Sequence, residues 1–361
     1  TLLPLFLIFA IVLFFSSYEN ESFINIPQKD KHRGVCWVAG PREVNSEALG
    51  TLVAHNVNWI SQTPFGWQRG FDNPEIGTNH KSKNETSSVW WGERDEGIQS
   101  TTRMAKKAGI KTILKPHLWL NDKSGKWRGE IKMKSEADWK KWFEEYTNFI
   151  LHYAKLAEEE NIEMFCIGTE LHQTCIDRDA DWRLLISKIR KVYSGDLTYA
   201  ANFSDEYQDV RFWDELDYIG IQAYFPLVQG EQPTIEEVQE GWKSPIKQLQ
   251  KFSNKHKKPI LFTEVGYKST KDAGIEPWVW PSREGIEERK SSFSEETQAI
   301  LYEGLFSEVW DQPWLAGIHI WKWYPGGSTS NRRRQQEFNI DFTPQNKMAE
   351  GVISNWYNKT K

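Results

Sequence analysis

Eight short apolar runs, each followed by a segment of helical character, predict an α/β chain folded as one (β/α)8 barrel of the TIM type, a single domain. Two further observations support the expectation. Beyond residue 32 there is no Ser/Pro linker, low-complexity tract or short repeat that would divide the chain. Strand-like and helical segments also alternate throughout, which signals βα units and a parallel sheet.

Taken in order, residues 2–15 are apolar throughout, with Pro4 among them. Fourteen residues of helix span about 21 Å, short of the roughly 30 Å hydrocarbon core. The segment therefore reads as a signal-peptide core within residues 1–17, with an uncleaved membrane anchor as the alternative. The expected location is secreted or extracellular, or anchored at the surface. Residues 18–32 read as a polar tether, and residues 33–361 as the barrel catalytic domain. A chain starting near Lys31 is accordingly expected to fold and keep its activity.

The strand-like runs are residues 33–39, 57–63, 111–118, 163–171, 197–203, 218–225, 259–267 and 315–324. Helices are expected at residues 135–161, 181–193, 235–256, 294–310 and 344–356. The first illustrates the reasoning. Ser135 can cap, Asp138 stands at the third helical position, and Trp139, Trp142, Phe143, Tyr146 and Ile150 recur at three- and four-residue spacing.

Composition narrows the function classes. With 45 basic and 50 acidic residues the net charge is −5, so the chain has no global field to attract phosphate backbones. No nucleic-acid partner is expected, and Arg332, Arg333 and Arg334 read as a solvated loop. The 3 cysteines are too few for a disulfide scaffold, and Cys36 and Cys166 lie in apolar runs as buried thiols. There is no HExxH, no metal-spaced Cys/His set, no glycine-rich phosphate loop and no Gly-x-Ser-x-Gly elbow. No metal or nucleotide cofactor is implied, and a monomer is expected.

The longest segments between elements, residues 64–97 and 268–293, follow the second and seventh runs. Both therefore belong to the C-terminal face, where barrels place active sites. They carry Trp67, Trp90, Trp91, Trp278 and Trp280. Flat apolar rings with one N–H donor suit the faces of sugar rings. Glycoside hydrolysis needs two carboxyl groups, and in a parallel barrel these belong at strand C-termini. Glu170 ends Met164-Phe165-Cys166-Ile167-Gly168-Thr169-Glu170, and Glu264 ends Pro259-Ile260-Leu261-Phe262-Thr263-Glu264. A carboxylate closing an apolar strand is costly unless it meets solvent, ligand or partners.

These residues, with Gly34-Val35-Cys36-Trp37, Leu114-Lys115-Pro116-His117-Leu118-Trp119, Gln222-Ala223-Tyr224-Phe225-Pro226 and Ile318-His319-Ile320-Trp321, make residues 33–356 resemble a clan A glycoside hydrolase. The resemblance is strongest to glycoside hydrolase family 113, the β-mannanases. It implies Glu170 after strand four as acid/base and Glu264 after strand seven as nucleophile. It also implies Tyr224 as the donor to the nucleophile carboxylate and Trp321 as the platform beneath the reacting sugar. Trp37, Lys115, His117 and Trp119, on strands one and three, complete the expected substrate-binding set, Lys115 and His117 sharing one strand parity. Thr169 stands where most clan A enzymes carry the asparagine that contacts the sugar 2-hydroxyl, and Asn202 is the candidate for that contact. The implied activity is a retaining endo-β-1,4-mannanase acting on mannan or glucomannan. The alternatives are xylan, glucan or galactan as substrate, or a non-catalytic barrel that binds a β-linked polysaccharide or oligosaccharide.

Overall fold

The structure, a computed structural model, describes residues 24–78, 89–281, 285–325 and 338–359. The apolar stretch 2–15 and Arg332, Arg333 and Arg334 lie outside the described residues. Among the described residues there are eleven strands: β1 (His32–Trp37), β2 (Trp59–Gln62), β3 (Phe65–Arg69), β4 (Ile76–Thr78), β5 (Lys111–Leu114), β6 (His117–Asn121), β7 (Met164–Thr169), β8 (Asp196–Asn202), β9 (Tyr218–Gln222), β10 (Ile260–Val265) and β11 (Leu315–Trp323). Eight close a parallel barrel in the order β1-β11-β10-β9-β8-β7-β5-β2. The helices are α1 (Ser46–Ala54), α2 (Asp95–Lys107), α3 (Glu136–Glu159), α4 (His172–Asp177), α5 (Asp179–Arg190), α6 (Glu206–Asp209), α7 (Ile235–His256), α8 (Ile286–Ser292), α9 (Glu295–Val309) and α10 (Met348–Asn358). Among the described residues no helix is long and apolar enough to cross a membrane.

Side-chain alternation divides the apolar residues between two regions. One is the shell between strands and helices, where Val35, Ile60, Phe165, Ile219, Phe262 and Ile320 meet the buried faces of the helices. The other is the lumen, filled by Trp59, Ile113, Met164, Cys166, Ala200, Leu261 and Ala316. Helix α3 shows how the shell is built. The Ser135 hydroxyl accepts from the Asp138 amide at 3.1 Å, a cap contributing about 1 kcal/mol, and Trp139, Trp142, Phe143, Tyr146, Phe149, Ile150 and Tyr153 are buried. Each fully buried large side chain adds roughly 1.5–3 kcal/mol. Cys36, Cys166 and Cys175 are buried free thiols.

The barrel floor is polar as well as packed. His32 stacks on Trp59 at 3.8 Å between centroids, its Nδ1 lies 3.2 Å from His319 Nε2, and His319 Nδ1 lies 2.8 Å from the Ser61 hydroxyl. A Cβ at Gly34 would stand 2.5 Å from the His319 ring, so only glycine admits this histidine to the lumen.

Three expectations are corrected here. Residues 111–118 are two strands rather than one. Pro116 has no N–H to continue a ladder, and the chain passes from the barrel to a second sheet of order β4-β3-β6. Lys115 N still bonds Gln62 O at 2.8 Å, whereas His117 N bonds Pro64 O at 2.8 Å. Part of the long segment 64–97 is therefore strand, namely β3 and β4. The end of the expected tether, finally, is docked on the barrel. Ile26 N donates to Pro313 O at 2.9 Å, and buried Lys31 donates through Nζ to Trp310 O at 2.5 Å and Gln312 O at 2.9 Å.

Candidate active site

The C-terminal ends of the barrel strands open into a cleft of about 690 Å3, into which Glu170 and Glu264 both point. Glu170 follows β7 and adopts φ +52°, a left-handed conformation that is uncommon for a residue with a side chain. Two hydrogen bonds from the flanking backbone hold the turn: Glu170 N to Ala200 O at 2.9 Å and Leu171 N to the Tyr199 hydroxyl at 2.7 Å. The residue is 7 % exposed, and its carboxyl accepts from Asn202 Nδ2 at 2.8 Å through Oε1 and pairs with the Arg128 guanidinium at 3.1 Å through Oε2. Burial raises its pKa above the ordinary carboxylate value and the Glu264 charge adds to that, while Arg128 and Asn202 oppose them.

Glu264 lies within β10 and is 5 % exposed. Its Oε1 receives the Lys115 ammonium at 2.5 Å, and its Oε2 accepts from the Tyr224 hydroxyl at 3.0 Å. With the Gln222 amide oriented to suit its neighbours, the nitrogen donates to Oε2 at 2.5 Å and Oε1 at 3.1 Å. An ionised carboxylate accepts all of these donors. Burial works against the Lys115 charge but Glu264 outweighs it, leaving the lysine pKa raised. His117 Nε2 lies 3.6 Å from Glu264 Oε1, and its pKa falls well below the usual histidine value through burial, Lys115 and Arg128. The ring is therefore neutral. The two glutamates consequently stand in unlike surroundings, one desolvated beside a single cation and an amide, the other ringed by donors.

Aromatic rings form the walls. Trp90, Trp119, Trp127, Trp278 and Trp280 line the cleft and remain 40–53 % exposed. Trp321, on β11, lies nearly parallel to His117, with 6.5 Å between centroids and 10° between planes, and Trp280 meets it edge-on. Lys322 pairs with Asp341 at 3.3 Å and lies 4.5 Å over the Trp280 ring.

Of the expected site residues, Glu170, Glu264, His117, Trp119, Asn202, Tyr224 and Trp321 line this cleft together. Lys115 does not line it, because it is fully buried beneath Glu264. Trp37 is also outside it. It shares strand parity with Val35 and packs in the shell at 3 % exposure, while Cys36 takes the lumen side and reaches Thr263 O. Trp91 packs against the same shell, and Trp67 stands beside Trp119 at 6.4 Å between centroids. Arg128, Gln222 and Lys322 were not expected. Gln222 ends a strand two residues before Tyr224, a signal that was present in the sequence. Arg128 comes from a single 3-10 turn, Arg128–Glu130, and nothing local distinguishes it from other loop arginines.

The same architecture occurs in solved structures. The β-mannanase AaManA of Alicyclobacillus acidocaldarius, solved in complex with ManMIm, is 26 % identical, with a TM-score of 0.74 over 94 % of this chain and 100 % of that one. A GH113 β-1,4-mannanase is 25 % identical, with a TM-score of 0.73 over 91 % of this chain and 99 % of that one. A β-glucuronidase of Ruminococcus gnavus shares the fold at 13 % identity and a TM-score of 0.57, over 91 % of this chain and 50 % of that one. No curated protein sequence matches the chain. Residues 41–347, a span that contains both glutamates and every wall of the cleft but Val38 and Ala39, match Glycoside Hydrolase Family 113, and the chain belongs to that family.

Proposed function

We propose that the protein is a retaining endo-β-1,4-mannanase that hydrolyses mannan and glucomannan by double displacement. Family membership makes it a glycoside hydrolase, and the β-mannanases among its structural neighbours support the substrate. The observation that carries the mechanism is the unequal setting of the two buried glutamates. Glu264, held by Lys115, Tyr224 and Gln222, attacks the anomeric carbon. As the glycosidic bond breaks, Glu170, whose pKa burial raises, protonates the departing oxygen. Glu170 then removes a proton from water, which displaces Glu264 and regenerates both side chains. Trp321 supports the reacting ring, and the exposed tryptophans hold the rest of the glycan.

Azide separates the two roles. Glu170→Ala is expected to cleave substrates with a good leaving group and, with azide, to release a β-glycosyl azide; Glu264→Ala is expected to give only the α-azide. The α product from Glu170→Ala would reverse the assignment, and first-formed sugars of α configuration from the native enzyme would overturn double displacement. Product release from a panel of β-1,4-glycans tests the substrate, with mannan and glucomannan expected to outpace xylan and cellulose. Binding without turnover of any of them would leave a glycan-binding barrel instead.

A further inference from the structure

A further buried glutamate stands near Glu170, outside the cleft. Glu206 opens α6, just past β8, and is fully buried. Among the described residues no lysine or arginine forms an ion pair with it. A buried carboxyl without a cation is expensive to keep, and its cost is offset only by good hydrogen bonds. Two are present. Oε2 accepts from the Asn202 backbone amide at 2.7 Å, and Oε1 accepts from the Tyr199 hydroxyl at 2.5 Å.

Both partners lead to Glu170. The Asn202 side chain donates to Glu170 Oε1 at 2.8 Å, and the Tyr199 hydroxyl accepts from Leu171 N, the amide that follows Glu170, at 2.7 Å. A closed circuit therefore runs from the Glu170 carboxyl through Asn202, Glu206 and Tyr199 back to the Glu170 main chain. It encloses the left-handed turn at φ +52°, a conformation that persists only where the surroundings over-determine it.

We propose that Glu206 is a positioning residue for the acid/base: by tying the β8 end to the β7 turn it aims the Glu170 carboxyl at the leaving oxygen. The inference rests on the reading of Glu170 as acid/base. Burial pushes the Glu206 carboxyl up to about 8, so glutamine resembles the protonated form. Its carbonyl can accept from Asn202 N while its amide donates to the Tyr199 oxygen.

The test compares kcat/KM for two β-glycosides of one manno-oligosaccharide, one bearing dinitrophenol and one an unactivated alcohol. Only the second needs a well-aimed acid. Glu206→Ala is expected to lose on the order of 10²-fold on the unactivated glycoside and less than about 3-fold on the dinitrophenyl one. Glu206→Gln is expected to recover most of that loss. Tyr199→Phe removes the hydroxyl that joins Glu206 to Leu171 but leaves the Asn202 arm of the circuit, and is expected to show the same selectivity at about tenfold, which keeps the test open if Glu206→Ala does not fold. Equal losses on both glycosides, or no loss, in a variant with a native melting transition would overturn the inference. Glu170→Ala is measured beside them. If it is selective for the unactivated glycoside and the Glu206 and Tyr199 variants are not, the positioning role alone fails; if it is not selective, the acid/base reading fails first.

Discussion

Replacing Lys115 with methionine keeps the length and most of the volume of the side chain and deletes its charge. The site is fully buried, and the ammonium there bonds Glu264 Oε1 at 2.5 Å and Thr263 O at 3.2 Å. Glu264 would keep Tyr224 and Gln222 but lose its only close cation among the described residues. Removing one partner of a buried pair costs about 3–5 kcal/mol, because the other charge stays desolvated. At the lower figure, a penalty that falls on the attacking carboxylate corresponds to roughly 10²-fold in rate. The assay is kcat/KM on a soluble manno-oligosaccharide from pH 4 to 8, with thermal unfolding as a check on the fold. Activity is expected to fall on the order of 10²-fold, with the unfolding transition retained. A profile that superimposes on that of the native enzyme would refute the view that Lys115 holds Glu264 ready.

Trp321→Ala is expected to lower kcat, because the ring beneath the reacting sugar acts where the transition state forms, whereas Trp278→Ala is expected mainly to raise KM. Losses confined to KM at both positions would place the cleavage point elsewhere. Stability is expected to fall as pH drops below 6.5. Burial lowers the pKa of His32 to about 3 and those of His117 and His319 well below the ordinary value, so the unfolded chain takes up protons that the native state refuses. The contribution is complete above pH 6.5 and is lost on the way down at about 1.4 kcal/mol per pH unit for each ring. Glu206, raised to about 8, works in the opposite sense over part of that range. Denaturant titrations at pH 7 and 5 check the sign, and equal or greater stability at pH 5 would contradict it. Comparing chains that start at residues 24 and 32 tests the docked segment: the shorter keeps β1 whole but loses the bonds of Ile26 and Lys31, each contributing about 0.5–1.5 kcal/mol, and should melt lower. Equal melting temperatures would mean that this segment adds nothing.

The barrel was legible because each apolar run had a helix behind it, and the glutamates because each closed such a run. What the sequence concealed was parity and register. Trp37 sits in an unbroken apolar strand, where alternation is invisible, so no pattern tells lumen from shell. The break at Pro116 was marked by the proline itself, but the partner that makes β6 a strand, β3, lies in a segment with too few alternating residues to announce one. Arg128 and Glu206 depend on contacts made by distant parts of the chain, which no local spacing encodes.

The passage of the chain across Pro116 divides labour within three residues. Lys115 is tied to the barrel ladder and holds Glu264, while His117 and Trp119 ride on the side sheet and line the cleft. The catalyst and one wall of its groove are thus separate modules joined at a single proline. Changes beyond Pro116, at Trp119 and in the turn that carries Trp127, can reshape the cleft without shifting the register that aims Lys115 at Glu264. Specificity is in this way free to drift under selection while the chemistry stays put, so divergence among related enzymes should concentrate in the side sheet and its turns.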